Sequence, residues 1–289
     1  MTPIILILVL FSAALHPLRE FLVKGDQAPS GIALAVVIQW CCLAGFQTWL
    51  DGNDPWIALE VYPEMIASGL GTLFYYWCVL MTLKYGDLSI YYPIIRSSPL
   101  FVVTVGFFFL GHNFSPMMLC GITLILLGAF LLQFQPSANT FSKSKILILA
   151  IFALCGHGIV TLADAEAMKV AEPSSYLFVQ YLFMIPGMIL LTIATKKHDH
   201  SLYQQLILGW IKTPARYISA GIMSYSSYYF ILWAFQLGGS AAAVSSVRLI
   251  SIPFSVILGC WLLKESRLST RLMWSLLITI GIVIIFYSK

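Results

Sequence analysis

Charge is what this sequence has least of. Only 10% of its 289 residues are Asp, Glu, Lys or Arg, against roughly a quarter in an average soluble domain. Hydrophobic residues make up 60%, and the mean hydropathy is +0.89. A soluble chain of this length cannot hide so much apolar surface, so lipid must solvate much of it. That excludes a cytosolic enzyme, a nucleic-acid binder and a disordered scaffold. The net charge of +4 makes no nucleic-acid footprint, because the basic residues are scattered over short loops. Catalytic signatures are missing as well. There is no P-loop, no G-x-S-x-G, no H-E-x-x-H and no cluster of His and acids at metal spacing. No enzymatic activity, metal or cofactor is therefore expected, and transport would run on gradients or exchange, not on ATP. The six cysteines (Cys41, Cys42, Cys78, Cys120, Cys155 and Cys260) all lie in apolar runs and read as small hydrophobes. Short segments alternating apolar and polar are absent, which excludes a β-barrel.

What the sequence has instead is long apolar runs. A membrane span needs about 20 mostly apolar residues, and ten stretches qualify: 3–23, 31–50, 63–83, 87–110, 115–134, 145–167, 174–195, 217–237, 241–263 and 268–287. The expected fold is an all-α integral membrane protein of ten transmembrane helices. Residues 135–144 (QPSANTFSKS) read as a polar linker, and 196–216 as a longer loop with a short interfacial amphipathic segment. The first run has no basic leader, and His16-Pro17-Leu18-Arg19 stands where a signal peptide would carry a cleavage site, so it reads as a span.

The basic residues orient the spans. Twelve of the sixteen fall on the side that carries loops 1–2, 3–4, 5–6, 7–8 and 9–10, and only Lys169 and Lys289 on the other. The crowded side is expected to be cytoplasmic, with both termini outside. The remaining two, Arg96 and Arg248, lie within spans.

Those two arginines also mark a repeat. At a constant offset of 152 residues, Gly86 aligns with Gly238 and Arg96 with Arg248. The linker then separates two five-helix repeats, 1–134 and 145–289. With an odd number of spans in each, the second inserts upside down relative to the first. Inverted repeats are typical of secondary transporters, whose substrate site lies near the midplane where the halves meet.

An arginine facing lipid at this depth costs at least about 2.5–3.5 kcal/mol, so each must face a cavity or a partner. The functional reading is an anion clamp, because guanidinium matches carboxylate and phosphate; the structural alternative is pairing with a buried acid or free carbonyls. Proline breaks at Pro93, Pro99 and Pro253 are expected beside them, with Pro99 freeing the carbonyl of Ile95 and Pro253 that of Leu249. His16, Asp164 and Glu20 are candidates for gating or proton coupling, and His16 and Asp164 are expected to face each other. His157, between Gly156 and Gly158, reads as a packing histidine. Tyr76, Tyr92, Tyr228, Tyr229 and Trp233 are candidates to pack the substrate.

The run Gly86-Asp87-Leu88-Ser89, followed by Tyr92-Pro93-Ile94 and Arg96, resembles the GDLS-x-x-YPI-x-R segment of bacterial EamA-type transporters of the drug/metabolite transporter superfamily. Leu15-His16, Val23-Lys24, Asp164 and Lys264-Glu265 with Leu268 resemble further elements of that group, and the likeness covers essentially the whole chain. It implies two inverted five-helix halves, alternating access, and amino acids, amines, sugars or other metabolites as substrates. The chain departs from the pattern at Glu20, Arg19 and His112-Asn113, which adds charge near the first helix.

The expected function is secondary transport of a small anionic or zwitterionic metabolite across the bacterial inner membrane. The expected partners are that substrate, membrane lipid and a proton or other coupling ion, and no nucleic acid. The alternatives are a flippase for a lipid headgroup or lipid-linked sugar on the same fold, and a non-transporting membrane subunit of a larger assembly.

Overall fold

The computed structural model describes residues 1–23, 29–85, 94–133, 144–195, 211, 213–254 and 268–288. Among the described residues the regular elements are helices, with no strand. They are α1 Pro3–Val23, α2 Pro29–Leu50, α3 Tyr62–Tyr85, α4 Ser98–Phe108, α5 Pro116–Gln133, α6 Ser144–Ala167, α7 Pro173–Thr195, α8 Pro214–Gln236, α9 Ala241–Val247 and α10 Leu268–Tyr287. Five of these, α1, α2, α5, α7 and α8, open on a proline. Its ring presets the helical φ, and its missing N–H lies where no intrahelical acceptor exists. Two ends show the complementary signal: Gly52 (φ +69°) follows α2 and Gly238 (φ +89°) follows α8, a backbone conformation that side-chain-bearing residues avoid.

Three helical stretches are long and apolar enough to cross a membrane: Pro55–Thr82, Lys145–Ala167 and Pro173–Ala194. Others are apolar but shorter as described, among them Pro3–Arg19, Leu34–Leu50 and Pro116–Leu131. A short 3₁₀ helix, Pro55–Val61, precedes α3; Asp54 caps it by accepting from the Trp56 N–H at 2.9 Å. The 135–144 linker and most of the 196–216 loop lie outside the described residues.

The principal helix contacts join α1 to α8, α3 to α6, α2 to α7 and α5 to α10. In two of these, backbones meet through glycine. A Cβ at Gly121 would come within 2.8 Å of the Gly281 carbonyl oxygen, and one at Gly71 within 3.1 Å of the Gly156 carbonyl oxygen. Small residues at such crossings are how helices pack closely where no hydrophobic force separates helix from lipid. Polar links accompany them. The Ser12 and Ser227 hydroxyls lie 3.0 Å apart between α1 and α8, and Gln39 Nε2 donates to the Tyr217 carbonyl at 3.3 Å between α2 and α8.

Candidate functional site

The helix carrying Arg96 is interrupted. Residues 94–96 are helical, Ser97 is a turn (φ −79°, ψ 21°), and α4 starts at Ser98 with Pro99 in its first turn. A proline there removes an N–H that has no intrahelical partner in any case. Pro99 thus begins a helix; the expected interior break lies at Ser97 instead. On the other segment, α9 tightens into a 3₁₀ turn over Arg248–Ile250 before helical backbone resumes. The Ser251 N–H donates to the Arg248 carbonyl, which closes that turn. Each arginine nonetheless sits where the helical winding changes, as is common at functional positions.

These irregular turns border a cavity walled by α3, α4, α6, α8 and α9. Both arginines line it. Arg96 Nη2 donates to His16 Nε2 at 3.2 Å, from α4's approach to α1. Arg248 Nε is buried with no hydrogen-bond partner, and no ion pair to Arg248 exists among the described residues. Ser98 Oγ and His157 Nδ1 lie 2.9 Å apart on the lining, with the Tyr75 ring 5.3 Å from the imidazole.

Asp164 also borders the cavity, but it is 1% exposed and fully engaged. Its Oδ1 accepts from Ser68 Oγ at 2.6 Å and from Tyr176 Oη at 2.8 Å, and its Oδ2 accepts from the Tyr228 hydroxyl. Gln180 Nε2 donates in turn to Ser68 Oγ at 2.7 Å. Four helices, α3, α6, α7 and α8, therefore converge on one carboxylate. Hydroxyl-to-carboxylate bonds are among the stronger kinds. Trp40 of α2 closes the cluster, stacked on Tyr228 at 5.3 Å and edge-on to Tyr181 at 4.8 Å.

Of the residues singled out in the sequence, Arg96, Arg248, Asp164 and Tyr228 meet at the cavity. His16 stands directly behind Arg96. His16 and Asp164 do not pair with each other: the histidine bonds Arg96, the aspartate three hydroxyls. Tyr76 packs edge-on against Tyr75, which itself lines the cavity, at 5.7 Å. Tyr229 packs between Tyr225 and Trp233, and Trp233 is turned outward at 37% exposure. Tyr92, Pro93 and the side chain of Glu20 lie outside the described residues, as do Gly86–Ser89 and Lys264-Glu265. Pro253 is buried just beyond the 3₁₀ turn.

Several cavity and network residues were not singled out in the sequence as site residues: Tyr75, Ser98, His157 and Ser245 on the lining, and Ser68, Tyr176 and Gln180 around Asp164. Ser98, two residues from Arg96, was the one with a local signal. Chemically the lining can hold an anion against guanidinium and hydroxyl donors. Among the described residues, no group of three or more His, Cys, Asp or Glu is placed to hold a metal ion.

No curated protein matches the sequence. A crystal structure of another protein superposes with a TM-score of 0.76 at 14% identity, over 98% of this chain and 96% of that one, so the two share a fold. Residues 3–134 match the model of the EamA-like transporter family. With its apolar helices, the match describes a multi-pass membrane protein of transporter type. That stretch, residues 3–134, therefore belongs to the EamA-like transporter family, within the drug/metabolite transporter superfamily.

Proposed function

We propose that the chain is a secondary transporter that moves a small anionic metabolite, or a zwitterionic one bound through its acidic group, by alternating access across the bacterial inner membrane. The observation that carries the proposal is Arg248. It lines the cavity beside Arg96 with its Nε unmatched, while the carboxylate nearest to serving as counter-charge, Asp164, is already held by three hydroxyls. A guanidinium whose Nε is buried without a partner is costly, and an incoming carboxylate, sulfonate or phosphate relieves the cost by accepting its hydrogen bonds. Tyr75 and Tyr228 then flank the rest of the substrate.

Two inverted five-helix halves, 1–134 and 145–289 about the linker, are part of the same reading. The helix pairings support it. Advancing each helix by five turns the α1–α8 contact into the α6–α3 contact, and leaves α2–α7, α4–α9 and α5–α10 as pairs of equivalents. Such an exchange is what an axis relating two halves generates, and it puts the cavity where they meet. Both termini are proposed to lie outside the cytoplasm, from the distribution of Lys and Arg.

The test is a thermal-shift screen of the purified protein against carboxylates, sulfonates, phosphates, amines and neutral sugars, with Arg248→Gln alongside. A ligand at 100 times its dissociation constant stabilises by about 2.7 kcal/mol. The expected result is stabilisation by anions, lost in Arg248→Gln. Stabilisation by amines or sugars that survives in the variant refutes the clamp.

A further inference from the structure

We infer that His16 and Arg96 take up a proton and an anion together, so that the transported anion moves with a proton. This rests on the anion-transporter reading of the same cavity and adds the coupling ion and the residue that holds it.

The argument starts from hydrogen-bond direction. A guanidinium has only donors. With Arg96 Nη2 at 3.2 Å from His16 Nε2, that ring nitrogen must be the acceptor, and it carries no proton in this arrangement. The groups facing His16 share one character. Arg19 lies one turn along α1, Arg96 precedes α4, His157 is on α6 and Arg248 opens the 3₁₀ turn. The other helix packed along α1, α8, meets it with the hydroxyls of Ser224 and Ser227, the first bonded to Arg19 and the second to Ser12. α9 contributes no titratable residue. Among the described residues no carboxylate faces the imidazole, so a further positive charge there meets the guanidiniums of Arg19, Arg96 and Arg248 without a counter-charge.

An anion in the cavity reverses both conditions. It takes the Arg96 donors, which leaves His16 Nε2 without the N–H it was accepting, and it supplies the missing negative charge. A proton from solvent then adds to Nε2, and the new N–H donates to the anion or to the cavity wall. No covalent bond other than that N–H forms or breaks. By linkage the proton tightens the anion by the same factor as the anion tightens the proton.

Asp164 is a worse proton carrier on the same geometry. Three O–H groups already donate to it, so a proton there breaks at least one of those bonds, and the displaced hydroxyl must turn to accept. His16 has one such bond to exchange, and the bond is to the residue that binds the substrate.

The test is calorimetric titration of the purified protein with benzenesulfonate, an anion whose charge does not change between pH 5 and pH 8. One linked proton makes the dissociation constant rise by up to about tenfold per pH unit across the window in which His16 is protonated only in the complex. His16→Gln is expected to flatten that dependence while still binding, whereas His157→Gln and Asp164→Asn keep it. Because a variant can misfold, the wild-type protein provides an independent reading: mixed with benzenesulfonate in weakly buffered solution, it should take up close to one proton per anion bound. Binding that is independent of pH and takes up no proton overturns the inference and leaves the anion site standing. A dependence that disappears in His157→Gln or Asp164→Asn but persists in His16→Gln overturns the assignment. Absence of anion binding at every pH overturns this inference and the transporter reading together.

Discussion

Replacing Asp164 with alanine should be among the most damaging single changes in the protein. The carboxylate is the common acceptor for hydroxyls on three other helices: Ser68 of α3, Tyr176 of α7 and Tyr228 of α8. Interhelical hydrogen bonds in membrane proteins average about 0.6 kcal/mol, with a maximum near 1.7, and a buried donor stripped of its acceptor costs about 1–3 kcal/mol. Three such losses in a site that is 1% exposed put Asp164→Ala at about 2–5 kcal/mol. The asparagine variant discriminates. Its Oδ1 still accepts from Ser68 and Tyr176, and its amide N–H can donate to the Tyr228 oxygen, so one acceptor is lost and the cost is about 1 kcal/mol. The assay is reversible unfolding in mixed detergent, followed by far-ultraviolet circular dichroism. A double-mutant cycle with Tyr228→Phe, which keeps the ring stacked on Trp40, should give a coupling of about 1 kcal/mol. If Asp164→Ala unfolds within about 0.5 kcal/mol of wild type, or if asparagine costs as much as alanine, the hydroxyl cage is not what holds these helices together.

Gly121→Ala should destabilise by about 1–3 kcal/mol in the same unfolding assay, because its Cβ would meet the Gly281 carbonyl at 2.8 Å and neither backbone can yield without parting α5 from α10. Gly69→Ala is the control: its Cβ meets only Met184 Cγ at 3.6 Å, an ordinary contact, and stability should hold or rise slightly. Gly52→Ala has open space around it but a φ of +69°, so it should cost about 1 kcal/mol through backbone strain alone, with ligand binding untouched.

The helices were legible because their signal is local. α1 begins and ends at the residues its apolar run predicts, and α5, α6, α7 and α10 do so within a residue or two. Arg96 and Arg248 were legible for the same reason, since an arginine in an apolar run stands out whatever surrounds it. The partners of Asp164 were not. Ser68 lies 96 residues away and shows nothing in sequence but a serine in an apolar stretch. Neighbours on a helix point about 100° apart, so of Tyr75 and Tyr76, and of Tyr228 and Tyr229, only the first of each lines the cavity. Pro99 lies in the first turn of α4, and the turn that interrupts the helix falls at Ser97, two residues before it.

The pairing of helices across the chain also has a consequence in time. The strongest contacts of α1, α2 and α3 are with α8, α7 and α6, and the serines that join α1 to α8 are 215 residues apart. A contact cannot form before its later partner has been synthesised, and long closures slow folding. During synthesis the early helices must therefore stand in the bilayer with Ser12 and Ser68 still waiting for their partners and Arg96 for its cavity. The newborn chain is most exposed to misassembly and degradation between the insertion of α5 and that of α8, and a mutation that weakens the late helices would be read by the cell as a fault in the early ones.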